Sequence, residues 1–307
     1  MLRPIQDATV RACRMPRCVA ALLACLWCGF FAAGCATAPS RDAAQERDIE
    51  ALARSWLRAT PASPIIELRT VEQAMQAQPR FLQRTARRLG DPVGYKIALT
   101  SDAARRQIGA EAPIYGVLFE EMLLPSPARI PAASGARLMV EGDLILRIGS
   151  GIINNAATPE EAGPFIDAVI PFIEVPDLLY RSDVPFSAAD LAVINAGARF
   201  GVLGAPLPIS MREDGFQRLA GFRVELLDAH GDLVSRGQAR DVMGHPLAAV
   251  LWLRDALHAR GHRLRRGDLI SVGSFTDLIP VTPGTTYTVR YIGLVPGEPV
   301  DVQVHFE

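Results

Sequence analysis

Residues 140–149 read "VEGDLILRIG", an apolar run of strand character in which Glu141 and Asp143 are embedded. A buried, unpaired carboxylate is costly, and two adjacent like charges also repel. Side chains alternate along an extended chain, so these two project from one face. Val140, Leu144, Leu146 and Ile148 mostly take the other. A third lone carboxylate, Glu174, sits in "VIPFIEVPD", bracketed by Pro171 and Pro176. Two same-face carboxylates plus a third suit a hard divalent cation such as Mg2+ or Mn2+, which takes oxygen ligands and usually keeps several waters. The same acids also suit a solvated edge strand, with Arg137 and Arg147 as salt-bridge partners. Spacing alone leaves both readings open.

The chain has 307 residues, 49% hydrophobic and 21% charged, which fits one large globular domain or two small ones. Its formal net charge of −1 gives no overall pull toward nucleic acid or an anionic membrane. All five cysteines fall within the first 35 residues. The folded domain is therefore expected to have no disulfide framework, no cysteine-ligated metal and no catalytic thiol.

Those first residues read as a targeting segment. Arg11, Arg14 and Arg17 precede 17 uncharged residues, 18–34, shorter than the roughly 20 apolar residues of a spanning helix. "AAGCATAPS" resembles a bacterial lipoprotein signal, which implies lipidation of Cys35, although Ala32 stands where leucine is usual. A plain signal peptide or a membrane anchor is the alternative, and Met15 is an alternative start. Thr37, in place of aspartate, favours an outer-membrane address. The expected organisation is a signal peptide over residues 1–35, a tether over 36–44 and a mature protein in the periplasm. Its contact with the membrane is expected only through the lipid anchor.

Residues 43–57 place Ile49, Leu52, Ala53, Trp56 and Leu57 at helical spacing. Thr70 with Gln73 has the capping-box pattern and opens a second helix ending near Gly90; Ser101 is the N-cap of a third. Residues 45–112 are thus expected to be a helical N-terminal portion, and 113–307 a β-rich domain. In the latter, "GFRVELLDAHGDLVSRGQA" predicts a hairpin around "HGD", and "VDVQVHFE" alternates strictly and should pair with "TYTVRYIGL". "HPLAAVLWLRDALHARG" predicts one helix, with Leu247, Val250, Leu251, Leu253 and Leu257 inward and Gly261 as C-cap. His258 and His262 straddle that helix end and read as solvated.

In this order, "GYKIALTS", "PIYGVLFEEM", "VEGDLILRIG", "FIEVPD", "NAGARFGVLG", "GHPLAAVLWLRDAL", "GDLISVGSFTDLIPVTPG" and "VDVQVHF" together resemble the 2-keto-4-pentenoate hydratase / 4-oxalocrotonate decarboxylase family of the fumarylacetoacetate hydrolase superfamily. The likeness runs over about residues 45–307. It implies an α+β, β-rich fold with a helical N-terminal portion, usually in a homo-oligomer. It also implies a Mg2+ (or Mn2+) site of three acids, matching Glu141, Asp143 and, 33 residues after Glu141, Glu174. The family more often has Glu at the position of Asp143. Lys96 in "GYKI" matches the family's active-site lysine. The implied chemistry is that of a small 2-oxo acid chelated by the ion, which acts as a Lewis acid on the enolate. A hydratase would ketonise 2-hydroxypenta-2,4-dienoate and add water to give 4-hydroxy-2-oxopentanoate.

Two departures stand out. Ile114 occupies the place of the family's aspartate before "YG", and "NAGAR" replaces "NASSG", removing a hydroxyl and introducing Arg199. Arg199 is expected to clamp a substrate carboxylate or to serve as a structural cation, and Ser274 and Thr276 of "GSFT" to donate hydrogen bonds to substrate. The expected function is a metal-dependent hydratase or lyase. The alternatives are a decarboxylase or C–C hydrolase of the same superfamily, or a non-catalytic periplasmic lipoprotein that keeps the fold.

Overall fold

Thirteen strands arise among the residues that the computed structural model describes, 41–65, 67–207 and 214–307. The expected leader and its Cys35 lie outside them. The strands are β1 Pro92–Ala98, β2 Ile114–Phe119, β3 Leu123–Pro125, β4 Ala128–Ile130, β5 Met139–Ile148, β6 Ile166–Val175, β7 Phe200–Leu203, β8 Arg223–Leu227, β9 Leu233–Gln238, β10 Leu269–Ser271, β11 Ile279–Pro280, β12 Thr286–Ile292 and β13 Val300–Phe306. The α-helices are α1 Arg41–Arg58, α2 Val71–Thr85, α3 Asp102–Ile108, α4 Pro159–Ala162, α5 Ala188–Val193, α6 Asp214–Gly221 and α7 Pro246–His258.

The larger sheet runs β2-β1-β10-β5-β6-β7-β3 with β11 beside β5, and the smaller runs β4-β13-β12-β8-β9. The expected β8–β9 hairpin and β12–β13 pair both form, antiparallel. The even face of β5 explains how the sheets meet: Val140, Leu144, Leu146 and Ile148 are fully buried on it. Gly142 leaves room there for the second sheet, since a Cβ would stand 2.9 Å from the Val224 side chain. Tyr291 of β12 reaches across to the β5–β6 ladder. Its hydroxyl lies 2.5 Å from the Asp143 carbonyl and 2.7 Å from that of Phe172, and accepts the Phe172 N–H at 2.9 Å.

The helical portion is not all helical. β1 lies inside residues 45–112 and is a central strand, paired antiparallel with β2 and parallel with β10. α1 buries Ile49, Leu52, Ala53 and Trp56 as its periodicity predicts, but Leu57 is 53% exposed because it falls outside that stripe. Thr70 caps α2 by accepting the Gln73 N–H at 3.2 Å, while the Gln73 side chain accepts from Arg69 rather than returning to Thr70. The α2 helix stops at Thr85, short of Gly90, and continues as one 3-10 turn over Ala86–Arg88. Ser101 caps α3 through the Ala104 N–H at 3.1 Å. All five apolar positions expected inward on α7 are buried, and the helix stops at His258, three residues before left-handed Gly261. No helix among the described residues is long and apolar enough to cross a membrane.

α7 begins with an imidazole cap. His245 Nδ1 accepts the Leu247 N–H at 3.0 Å while its ring stacks on Phe216 with centroids 4.3 Å apart. Burial holds the His245 pKa below its usual value. A depressed histidine contributes stability above its unfolded pKa of about 6.5 and loses it as pH falls through the folded value. His245→Ala is therefore expected to cost about 1 kcal/mol at pH 8. The difference from wild type should narrow toward pH 5 in paired thermal melts.

Candidate active site

Strands β1, β5 and β6 of the larger sheet bring the expected residues to one face, with β10 between β1 and β5. Lys96 in β1 is opposite Ser271 in β10, and Glu141 in β5 is directly opposite Glu174 in β6. Glu141 and Asp143 share parity and project away from the second sheet, on the side where Ile145 and Phe172 form a small apolar cluster. The edge-strand reading fails here: Asp143 and Glu174 are buried. Arg147 pairs instead with Asp167 at 2.6 Å.

A cavity of about 860 Å³ opens over this face, with Lys96, Glu141, Ser274 and Thr276 in its wall. Lys96 is buried and ion-pairs with Glu174. Asp143 accepts from the Ser271 hydroxyl and, at 3.1 Å, from the Gly273 N–H. The electrostatics follow from three acids against one ammonium in a dry place. Burial, then the charge of Glu174, pushes Glu141 well above the usual carboxylate range, and a hydrogen bond to Glu174 adds to the rise. The same two causes push Asp143 up to about 7, with the Ser271 hydroxyl working in the opposite direction.

This donor set fits a hard divalent cation in kind and in charge: oxygen ligands, and negative charge that one lysine does not balance. Its posture is different. Glu174 is turned to Lys96 and Asp143 to Ser271, and among the described residues no three His, Cys, Asp or Glu side chains already stand around one point. A cation drawing the acids together would compete with those two contacts.

Ser274 and Thr276 reach the cavity wall, but their hydroxyls serve the backbone. Ser274 Oγ donates to the Thr276 carbonyl at 2.7 Å, and Thr276 Oγ1 accepts the Gly142 N–H at 2.9 Å. Arg199, expected as a carboxylate clamp, is elsewhere. Its guanidinium donates to the carbonyls of Trp56, at 2.8 Å, and Ser134, and lies 3.9 Å from the Trp56 ring centroid. It staples α1 to the sheets, a contact of roughly 0.5–2 kcal/mol from the cation–π stacking alone.

The "NAGAR" turn is held by its asparagine. Asn195 Oδ1 accepts the Val117 N–H at 2.7 Å and its Nδ2 donates to the Val117 carbonyl at 2.9 Å, so the side chain pairs with β2 as a strand would. Asn195, Ala196 and Gly197 all have left-handed backbones, and Ala196 thereby meets the cavity. Ser271 and Asn195 are contributors that sequence reasoning assigned no role. The only signal for them was membership in the quoted motifs.

The chain is 31% identical over 246 residues to the TodF product hydratase of Pseudomonas putida, covering 78% of this chain and 88% of that one. It is also 31% identical over 209 residues to the 2-keto-4-pentenoate hydratase of Paraburkholderia phymatum, covering 66% and 75%. The chain belongs to the 2-keto-4-pentenoate hydratase / 4-oxalocrotonate decarboxylase family. The fold agrees: the 4-oxalocrotonate decarboxylase from Pseudomonas putida G7, complexed with magnesium and adipate, superposes with a TM-score of 0.75 at 24% identity over 88% of this chain and 99% of that one. This is the fumarylacetoacetate-hydrolase-like fold with a helical N-terminal portion. No family model matches the chain. Against the family pattern, Ile114 is fully buried in the main core, in register with Ala98, and does not reach the cavity.

Proposed function

We propose that the chain is a divalent-cation-dependent hydratase or lyase for a small 2-oxo or 2-hydroxydienoic acid. The observation that carries this reading is the meeting of three carboxylates and one lysine beneath a cavity of ample size for such an acid. Glu141, Asp143 and Glu174 would hold Mg2+ or Mn2+, and the magnesium in the matching decarboxylase structure supports that choice. When bound, the cation would supply Lewis-acid stabilisation of negative charge developing on the 2-oxo oxygen.

The remaining work falls to the chain. Lys96 Nζ can hold the substrate carboxylate or pass a proton to and from a substrate carbon, and its pairing with Glu174 keeps it aimed at the cavity floor. Ser271 and the Gly273 amide hold Asp143 in one rotamer. Ser274 and Thr276 shape the wall through their backbone bonds. The hydratases among the relatives favour addition of water to a conjugated 2-oxo acid over loss of CO2 or C–C hydrolysis. A second reading, a ligand-binding protein without turnover, draws on Ile114, which supplies no carboxyl where the family has one.

Turnover of 2-hydroxypenta-2,4-dienoate and a panel of 2-oxo acids tests both. With Mg2+ at least one acid should react, chelation should bring the rate to background and added Mg2+ should restore it. Turnover indifferent to chelator would refute the cation's role. Mg2+-dependent binding with no turnover of any acid would establish the second reading.

We also propose an exported, Cys35-lipidated form, supported by the arginines and the uncharged run ahead of Cys35. Radiolabelled palmitate should enter the wild-type chain and not Cys35→Ala.

A further inference from the structure

One side chain in the cavity wall carries a polar group that the protein itself leaves unused. β1 ends at Ala98, and the next residue, Leu99, has a left-handed backbone with φ 62°. A bulky side chain rarely adopts that conformation, and such positions persist only where the surroundings over-determine them. Here Arg105 of α3 does so: its Nη1 donates to the carbonyls of Leu99, at 2.9 Å, and Thr100, at 3.0 Å. The following residue, Ser101, is fixed in turn by capping α3. Thr100 is therefore set in one place.

That place is against Gly273. A Cβ on Gly273, whose φ is +105°, would stand 2.2 Å from Thr100 Oγ1, so the hydroxyl fills space that only a glycine leaves. The Gly273 N–H in turn holds Asp143, which puts the threonine at the acidic end of the cavity. Thr100 is only 3% exposed, and it lines the cavity together with Lys96 and Glu141. Its Oγ1 has no hydrogen-bond partner among the described residues and is open to the cavity rather than sealed in the core. The Ser274 and Thr276 hydroxyls, expected to serve substrate, are by contrast engaged by backbone. A hydroxyl so nearly buried is stable when something bonds to it, and nothing in the protein does.

We propose that Thr100 is a substrate-binding residue whose hydroxyl donates a hydrogen bond to the carboxylate of the 2-oxo acid. The proposal rests on the reading that Lys96, Glu141 and Asp143 mark the end that receives the 2-oxo acid group. The acceptor has to come from the substrate, because Asp143 is already served by the Ser271 hydroxyl and the Gly273 amide. Among the oxygens of such an acid, those of the carboxylate carry full charge and gain most from a fixed donor. With the carboxylate held by Thr100, Lys96 is left to move protons.

The probe is 2-oxopentanoate, a saturated acid with no double bond to hydrate, titrated calorimetrically into the Mg2+-supplemented full chain. Thr100→Val keeps the branched shape without the hydroxyl and should weaken binding about tenfold or more, the scale of one hydrogen bond to a charged group. Thr100→Ser should stay within about threefold of wild type, since the donor is kept. If a lowered melting temperature shows that valine is not accommodated, Thr100→Ala removes the same group without bulk and should show the same loss. Affinity for Mg2+ alone should be unchanged in these variants, because the hydroxyl bonds to none of the acids. In turnover of the best substrate, KM should rise with kcat kept, the sign of binding shared by ground and transition states. Wild-type affinity in both Thr100→Val and Thr100→Ala would overturn the proposal, as would a parallel loss of Mg2+ affinity. A kcat that falls at unchanged affinity would put a water on the hydroxyl instead of the carboxylate, and would overturn it too. Failure of the underlying site reading is separable: wild type would then bind the acid alike with and without Mg2+ and in Glu141→Ala, and a Thr100→Val loss on that background would still uphold the hydroxyl's role. A wild type that does not bind the acid at all would overturn both.

Discussion

Lys96→Met is expected to lower kcat on the best substrate of the panel by about 10²–10⁴, the range for losing one positioned proton carrier. The side chain is nearly isosteric, so the cavity keeps its shape while the ammonium goes. The substitution also leaves Glu174 without its ion-pair partner in a buried place, which costs on the order of 3–5 kcal/mol when no other cation compensates. Melting temperature should therefore drop without Mg2+ and recover when Mg2+ is added, more than in wild type. Glu141→Ala separates the two functions of the site. It should lose the Mg2+ response of both activity and melting, whereas Lys96→Met should lose activity and keep the Mg2+ response of melting. A Lys96→Met enzyme turning over within threefold of wild type would remove the lysine from the mechanism.

Gly116→Ala should show a large structural effect beside the cavity. Gly116 is opposite Lys96 in the β1–β2 pair, and a Cβ there would stand 2.2 Å from the Asn195 carbonyl oxygen. Backbone cannot yield as a side-chain tip does, so either the turn over Asn195–Gly197 lifts off β2 or the strand shifts. The expected loss is on the order of 3 kcal/mol or more, visible as a melting temperature about 10 °C lower. Relaxation would pull Ala196 from the cavity wall, so any folded variant should also bind substrate more weakly. An alanine variant with unchanged melting would mean the turn can move freely, against the Asn195–Val117 bonds.

The same two examples mark how far the sequence could be read. Local periodicity carried the class of fold, both the β8–β9 hairpin and the β12–β13 pair, and the inward face of α7, because those patterns are set by residues within one element. Glu141 and Asp143 stood out for the same reason, as charges out of keeping with their own strand. What could not be read were contacts between distant parts of the chain. Arg199 looks like a ligand clamp until Trp56, 143 residues away, is found beneath it. Ser274 and Thr276 look like free donors until Gly142 is placed against them. β1 was hidden inside a helical stretch because the Gly94–Lys96 segment is strand only by virtue of β2 and β10.

Tyr291 gives the sheet a property beyond packing. Glu141 and Glu174 face each other directly, an arrangement from which a flexible ladder could escape by slipping two residues along. The tyrosine hydroxyl, wedged between the Asp143 and Phe172 carbonyls from the neighbouring sheet, blocks that slippage. The opposed acids are thus an imposed frustration rather than an accident of alignment, and the latch that imposes it belongs to a strand that never touches the cavity.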